Sequence, residues 1–224
     1  GRTHWSDTNR VMLRNRRIGC SVSGVAQFVT NRGLDEFKNW LENGYDTIQE
    51  WDKMYSDWFA IPRSIKTTSV KPSGTVSLLA GATPGLHYPE SRFYTRRVRL
   101  SKHSELIEPL QKAGYKLEPA FGSEDTTMVV EVPVDVGEGI RTAAELSIWE
   151  QFSLAAFLQR HWADNQVSCT ATFNPETEAE QLPNVLNYFQ YRLKGISLLP
   201  RHDYGAYKQM PYEAINEKEY NKQV

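Results

Sequence analysis

The chain has 224 residues, 40% apolar and 24% charged, with 26 Lys and Arg against 27 Asp and Glu for a formal charge of -1. At roughly 150 residues per domain this length allows one large domain or two small ones. The near-zero charge gives no global pull toward nucleic acid or an anionic membrane, so any anion site must be local.

No apolar run nears the roughly 18 residues of a membrane span, and the N-terminal "GRTHWSDTNR" has no leader pattern. Cys20 and Cys169 stand far apart and outside any C-x-x-C. That usage argues against a disulfide scaffold or zinc site and fits a reducing, cytoplasmic location. The chain does not open on Met and Gly1 reads as a tag remnant, so it is expected to belong to something longer.

In chain order, Ile18, Cys20 and Val22 alternate with smaller residues, and Leu34, Phe37, Trp40 and Leu41 then form a helical stripe that stops at Asn43-Gly44. Thr47 and Glu50 read as a capping box for a second helix, whose face of Ile48, Trp51, Tyr55, Trp58 and Phe59 reads as core and ends at Pro62. Thr67 to Val70 is β-prone and Pro72 stops it. "FYTRRVRL" reads as a strand or basic edge, and a helix with Leu106, Ile107 and Leu110 inward is expected between Ser101 and Gly114. "TTMVVEVPVDV" reads as extended and peripheral, because Pro133 cannot donate to a central ladder.

Thr142 and Glu145 form a further capping box before a stripe of Leu146, Trp149, Phe152, Ala156 and Phe157 that stops at Asp164-Asn165. In the strand that follows, Val167, Cys169, Ala171 and Phe173 face one way and Ser168, Thr170 and Thr172 the other. A helical region opened by Thr177 and Glu180 and restarted by Pro183 runs to Gly195, and "ISLLP" closes the unit as a second strand. Strand, helix and strand make a right-handed parallel crossover. The fold class is therefore α/β, one domain spans residues 1–224, and the tail "INEKEYNKQV" is expected to fray.

The densest cluster of small and turn-forming residues is "VKPSGTVSLLAGATPG". Gly74 allows positive φ and close approach to a ligand, Ser73, Thr75 and Ser77 offer hydroxyls, and "TVSLLAGA" opens a short helix whose amides face the loop. This composition fits either a phosphate cradle or an ordinary turn. It is not a P-loop, since Lys71 precedes the glycine.

Arg14, Arg16 and Arg17, and Arg92, Arg96, Arg97 and Arg99 beside Phe93 and Tyr94, resemble a single-strand nucleic-acid surface. With a net charge near zero, a solvated strand edge or intramolecular carboxylate pairs is the better reading, and no nucleic-acid partner is expected. His4, His87, His103, His161 and His202 show no metal spacing. Cys169 and Cys20 read as small core residues.

Read together, "NRRIGCSVSGVAQF", "KPSGTVSLLAGATPGLHYPESRFYTRRVR", "WADNQVSCTATFNPETE" and "KGISLLP" occur in the order and spacing of the C-terminal part of ribonucleotide reductase catalytic subunits. The likeness is to the adenosylcobalamin-dependent class II enzymes, and within them to the monomeric ribonucleoside-triphosphate type. It implies the later half of a ten-stranded α/β barrel with a peripheral extended or hairpin insertion. In that family a cysteine thiyl radical on a central finger loop removes the ribose 3′ hydrogen, the 2′ hydroxyl leaves as water, and a cysteine pair supplies two electrons.

The family's substrate-phosphate loop maps onto Pro72, Ser73, Gly74, Thr75, Val76 and Ser77. Adenosylcobalamin, a ribonucleoside triphosphate, a thioredoxin-type reductant and the missing N-terminal part of the barrel are the implied cofactor and partners. The chain has no N-x-C-x-E radical segment, no reducing cysteine pair and no C-terminal cysteine tail, so no catalytic residue is assigned and the chain alone is expected to be inactive. A class I large-subunit fragment and a non-catalytic nucleotide-binding module are the competing readings.

Overall fold

The computed structural model describes residues 3–201 and 208–224; His202 and the Gly1 reading lie outside them. The chain divides into two compact units, Gly1–Tyr88 with Leu146–Arg201, and Pro89–Glu145 with His202–Val224.

The first unit alternates strands and helices. It begins with α1 (Ser6–Asn15), which the sequence pattern did not announce because none of its residues is buried. Next come β1 (Cys20–Ser21), α2 (Val25–Trp58) and β2 (Thr68–Ser69). After residue 145 follow α4 (Ile148–His161), β6 (Thr170–Phe173), α5 (Pro175–Glu178), α6 (Leu182–Phe189) and β7 (Ser197–Pro200). β1 pairs with β2 in parallel, Cys20 opposite Thr68. β6 pairs with β7 in parallel from Thr170–Ser197 to Phe173–Pro200, as the crossover reading required. A parallel bridge between Val70 and Val167 joins the end of β2 to the approach of β6.

Every second residue from Val167 to Phe173 is buried, as the alternation predicted. These side chains enter two apolar clusters. One gathers Val25, Phe37, Leu41, Val70, Leu158, Trp162 and Cys169; the other gathers Ile148, Phe152, Ala171, Phe173, Val185 and Phe189.

Several local expectations fail for identifiable reasons. Asn43-Gly44 does not stop a helix; α2 runs through it and is interrupted instead at Gly33, whose φ of 81° and ψ of 168° are non-helical. A Cβ at Gly44 would lie 3.3 Å from the Trp162 ring, so this glycine serves close packing rather than termination. Thr47 does not cap: its hydroxyl donates to the Asn43 carbonyl at 2.8 Å inside the continuous helix.

The aromatic face expected in the core is largely exposed, with Trp51, Tyr55, Trp58 and Phe59 at 47%, 46%, 67% and 68%. Cys20, expected inside, is exposed as well. Thr142 and Glu145 bracket only a short 3-10 turn at Ala143–Glu145, and α4 starts later on a second box formed by Ser147 and Glu150.

The second unit is a four-stranded antiparallel sheet in the order β4 (Lys116–Pro119), β5 (Thr127–Asp135), β3 (Phe93–Ser101) and β8 (Tyr212–Ala214), with α3 (Ile107–Lys112) and α7 (Glu217–Gln223). β5 is an inner strand, not a peripheral one. The Val136 N–H donates to the Arg92 carbonyl, and the alternation this sets turns the Pro133 nitrogen away from β3; β4 has already ended at Lys116, opposite Glu131. The missing donor therefore faces no partner strand.

Leu106 is exposed rather than inward, and the tail forms α7 on a capping box of Asn216 and Glu219 instead of fraying. Inside the sheet the buried Glu131 carboxylate accepts from Arg97 Nε and Lys116 Nζ, each at 2.8 Å. Arg97 thus pairs with a carboxylate inside the fold, as the carboxylate-pair reading of this basic segment supposed, while its strand is an inner one and not a solvated edge.

Candidate functional site

At the C-terminal ends of β1 and β2 the chain makes two loops that bond to one another. From the first, the Ser21 hydroxyl accepts the Lys71 N–H at 2.9 Å, and the Ser23 hydroxyl meets the Ser73 hydroxyl at 2.6 Å. The Gly24 N–H donates to the Thr83 carbonyl at 2.8 Å and the Val25 N–H to the Gly85 carbonyl at 3.3 Å. Gln27 completes the clasp through its amide group, donating to the Gly81 carbonyl at 3.0 Å and accepting the Thr83 N–H at 2.8 Å.

The second loop is tied internally. Ser73 holds a left-handed φ of 45°. Its hydroxyl accepts the Gly85 N–H at 3.0 Å, and its carbonyl accepts both the N–H and the hydroxyl of Ser77. Gly85 is sterically obligatory: a Cβ there would sit 2.4 Å from the Lys71 carbonyl oxygen, and its φ is 52°. The helix expected after Thr75 is a single 3-10 turn, Val76–Ala80.

The six residues singled out by sequence therefore divide. Ser73 and the buried Ser77 spend their hydroxyls on the loop itself. Pro72 has no amide hydrogen and brings the chain into the turn. Gly74 lies between these groups. On the outer surface the Thr75 N–H, the Thr75 hydroxyl and the Val76 N–H bond to no other described residue, and both residues are exposed. Adjacent backbone donors with a hydroxyl beside them are groups of the kind that can receive an anion.

Ser21, Ser23 and Gln27 were not assigned to the loop by sequence reasoning. Their signal was the hydroxyl alternation in "GCSVSG", which reads equally as a strand.

His87, at the end of the loop, accepts the Thr170 N–H on Nε2 at 3.3 Å and donates its own N–H to the Pro84 carbonyl. Burial holds its ring below the ordinary histidine range, so it acts as a neutral acceptor tying the loop to β6. Burial pushes the Cys169 thiol up to about 12, which fits its place in the core and leaves it no thiolate character.

At the opposite ends of the strands Asp164 accepts from Tyr45 Oη at 2.9 Å and from the Thr67 N–H and hydroxyl at 2.9 and 3.0 Å. Lys66 and Lys194 donate to its carbonyl. Burial raises its pKa, but the Thr67 and Tyr45 hydrogen bonds and the Lys66 charge outweigh burial and hold the carboxyl below its usual range. This buckle positions the start of β2.

Among the described residues no group of three or more His, Cys, Asp or Glu could hold a metal ion. No described helix is long and apolar enough to cross a membrane.

No family model matches the chain. It is 61% identical over 221 residues to an adenosylcobalamin-dependent ribonucleoside-triphosphate reductase of Euglena gracilis, which covers 99% of this chain and 30% of that protein. It is 59% identical to a probable enzyme of the same name from Dictyostelium discoideum, over 99% of this chain and 29% of that protein. A crystal structure of a B12-dependent class II ribonucleotide reductase superposes with a TM-score of 0.83 at 32% identity, covering 98% of this chain and 34% of the other.

The chain is homologous to a segment of class II ribonucleotide reductases. It spans less than a third of the length of the curated relatives it matches. The α/β fold of the class II enzyme extends over nearly all of it, and the loop from Pro72 to Ser77 lies within the matched stretch.

Proposed function

We propose that this chain is part of an adenosylcobalamin-dependent ribonucleotide reductase that converts ribonucleoside triphosphates to 2′-deoxyribonucleotides, and that its share of the work is to hold the substrate phosphates. In this reading both compact units belong to one domain, the later half of a ten-stranded barrel, and the antiparallel sheet is its peripheral insertion. The observation that carries the reading is the outward donor set of Thr75 and Val76 on a loop held rigid by Ser23, Ser73 and Gly85. An anion placed there fixes the nucleotide, so the ribose is presented to a reactive centre carried by another part of the longer chain.

Adenosylcobalamin, when bound, supplies the radical chemistry. The reducing equivalents come from a thioredoxin-type partner acting on cysteines that this chain lacks, and the enzyme works in the cytoplasm. Lys71 directly precedes the loop and adds local positive charge without changing the overall balance.

The test uses the full-length protein. Its affinity for a ribonucleoside triphosphate is measured by calorimetry, alongside the corresponding nucleoside, for the wild type and Thr75→Val. Removing one charge-assisted donor is expected to weaken triphosphate binding by about tenfold and leave nucleoside binding unchanged. Equal triphosphate affinity in the two proteins removes the loop from the site.

A further inference from the structure

We propose that the cavity between α4 and α6 is a binding site for a polyphosphate chain, held by Lys66, Lys194 and Arg192 where the chain enters β2 and β7. The loop that follows β2 leaves from the other end of that strand, so this site is independent of the Thr75 donors.

The cavity has a volume of about 750 Å³, within the roughly 300–1,000 Å³ of small-ligand sites. Phe157 and Arg160 of α4 line one side, and Tyr188 and Arg192, at the end of α6 and just after it, line another. Its charge is one-sided. Lys66, Arg160, Arg192 and Lys194 stand against a single carboxylate, Asp164. That carboxylate is engaged by Tyr45 Oη and by the Thr67 N–H and hydroxyl. His161, also in the lining, is turned to Glu42 at 2.8 Å. Among the described residues none of the four Lys and Arg side chains forms a salt bridge with a carboxylate.

The two lysines converge on one neutral atom. Lys66 Nζ donates to the Asp164 carbonyl oxygen at 2.9 Å, and Lys194 Nζ donates to the same oxygen. Desolvation and the adjoining Lys66 ammonium hold Lys194 below the ordinary lysine range. Where two cations share an acceptor in the antiparallel sheet, as Arg97 and Lys116 do, the acceptor is the Glu131 carboxylate. Between Lys66 and Lys194 it is an uncharged carbonyl. An anion bridging the two ammonium groups supplies the missing charge, and each keeps N–H donors beyond the shared carbonyl to bind it.

Arg192 extends the donor set along the cavity. Its guanidinium lies 4.4 Å over the Tyr188 ring and donates from Nη1 to Tyr188 Oη at 3.2 Å, which orients the rest of the planar fork. Two point charges followed by an arginine fork match a chain of several phosphates better than a single small anion. The chain belongs either to a free polyphosphate or to a nucleotide. Tyr191, 93% exposed on the same lining, offers a stacking surface that only a nucleotide base uses.

The experiment acetylates lysines of the full-length protein in the presence of increasing inorganic tripolyphosphate at constant ionic strength, with the modified positions mapped in peptides. Tripolyphosphate at saturation is expected to slow acetylation of Lys66 and Lys194 by about fivefold or more. Lys194→Gln and Arg192→Gln, both at exposed positions, are each expected to raise the concentration that half-protects Lys66 by about tenfold. Repeating the titration with ATP separates the sources: protection no better than that by tripolyphosphate assigns the phosphate chain alone, and tighter protection that Tyr191→Ala removes assigns a nucleotide. Absence of protection overturns the inference, as does protection that sodium chloride of equal ionic strength reproduces, or a wild-type midpoint in both variants. Thr75→Val is expected to leave the Lys66 midpoint unchanged; loss of Lys66 protection in that protein would trace the effect to the loop and also overturn the second site.

Discussion

The Ser23 and Ser73 hydroxyls meet at 2.6 Å across fifty positions of sequence, and this contact joins the segment after β1 to the loop after β2. Ser73 sits in the left-handed region and also accepts the Gly85 N–H, so its hydroxyl organises a turn that its backbone alone would not favour.

Ser23→Ala leaves Ser73 one partner short without touching the outward donors of Thr75 and Val76. A neutral hydrogen bond contributes about 1 kcal/mol, so triphosphate affinity of the full-length protein is expected to fall by roughly three- to tenfold. The check is a titration of wild type and variant, with circular dichroism to establish that the fold is kept.

Gly85→Ala is expected to be more damaging, because the added methyl meets the Lys71 carbonyl at 2.4 Å and the φ of 52° is unfavourable for alanine. Strain and overpacking together predict a loss of about 1–3 kcal/mol, read as a lower urea midpoint at unchanged slope.

The pH dependence follows from Asp164 and Glu131, whose pKa values are both held below the ordinary 3.8 and 4.5. A depressed carboxylate contributes stability above its unfolded value and loses it as pH falls through the folded value. His87 adds to this in the same direction, since its neutral form is favoured on folding and protonation opposes folding below 6.5. Melting temperature should therefore fall as pH drops from neutrality, steepening below about pH 4. Asp164→Asn should lower the neutral-pH value and flatten the acid limb.

Cys169, with its thiol near 12 and its side chain in the core, is expected to resist thiol reagents at pH 8 until the protein unfolds. Labelling against urea concentration should follow the unfolding curve.

Local periodicity carried much of the fold. The alternation from Val167 to Phe173 gave the strand and its buried side, and the parallel partner followed from the helix between them. What it could not give were features set by distant packing. Gly44 reads as a stop but lies inside α2 and is a glycine where the Trp162 ring packs close, and Pro133 reads as peripheral but lies in an inner strand beyond the Lys116 end of β4. The stripe from Trp51 to Phe59 has the spacing of a core face, yet no described element covers it, and spacing alone does not say what covers a face. In the loop, composition singled out the segment and not how its groups divide: Ser73 and Ser77 brace the turn, while the Thr75 and Val76 amides face outward.

The central claim, that these donors hold the nucleotide's phosphates, is tested most directly by hydrogen exchange of the full-length protein with and without saturating ribonucleoside triphosphate, followed in peptides spanning residues 70–86. Slower exchange in the peptide carrying the Thr75 and Val76 amides, with no such change for the nucleoside, is the predicted result. Unchanged exchange there while the nucleotide is demonstrably bound would contradict it.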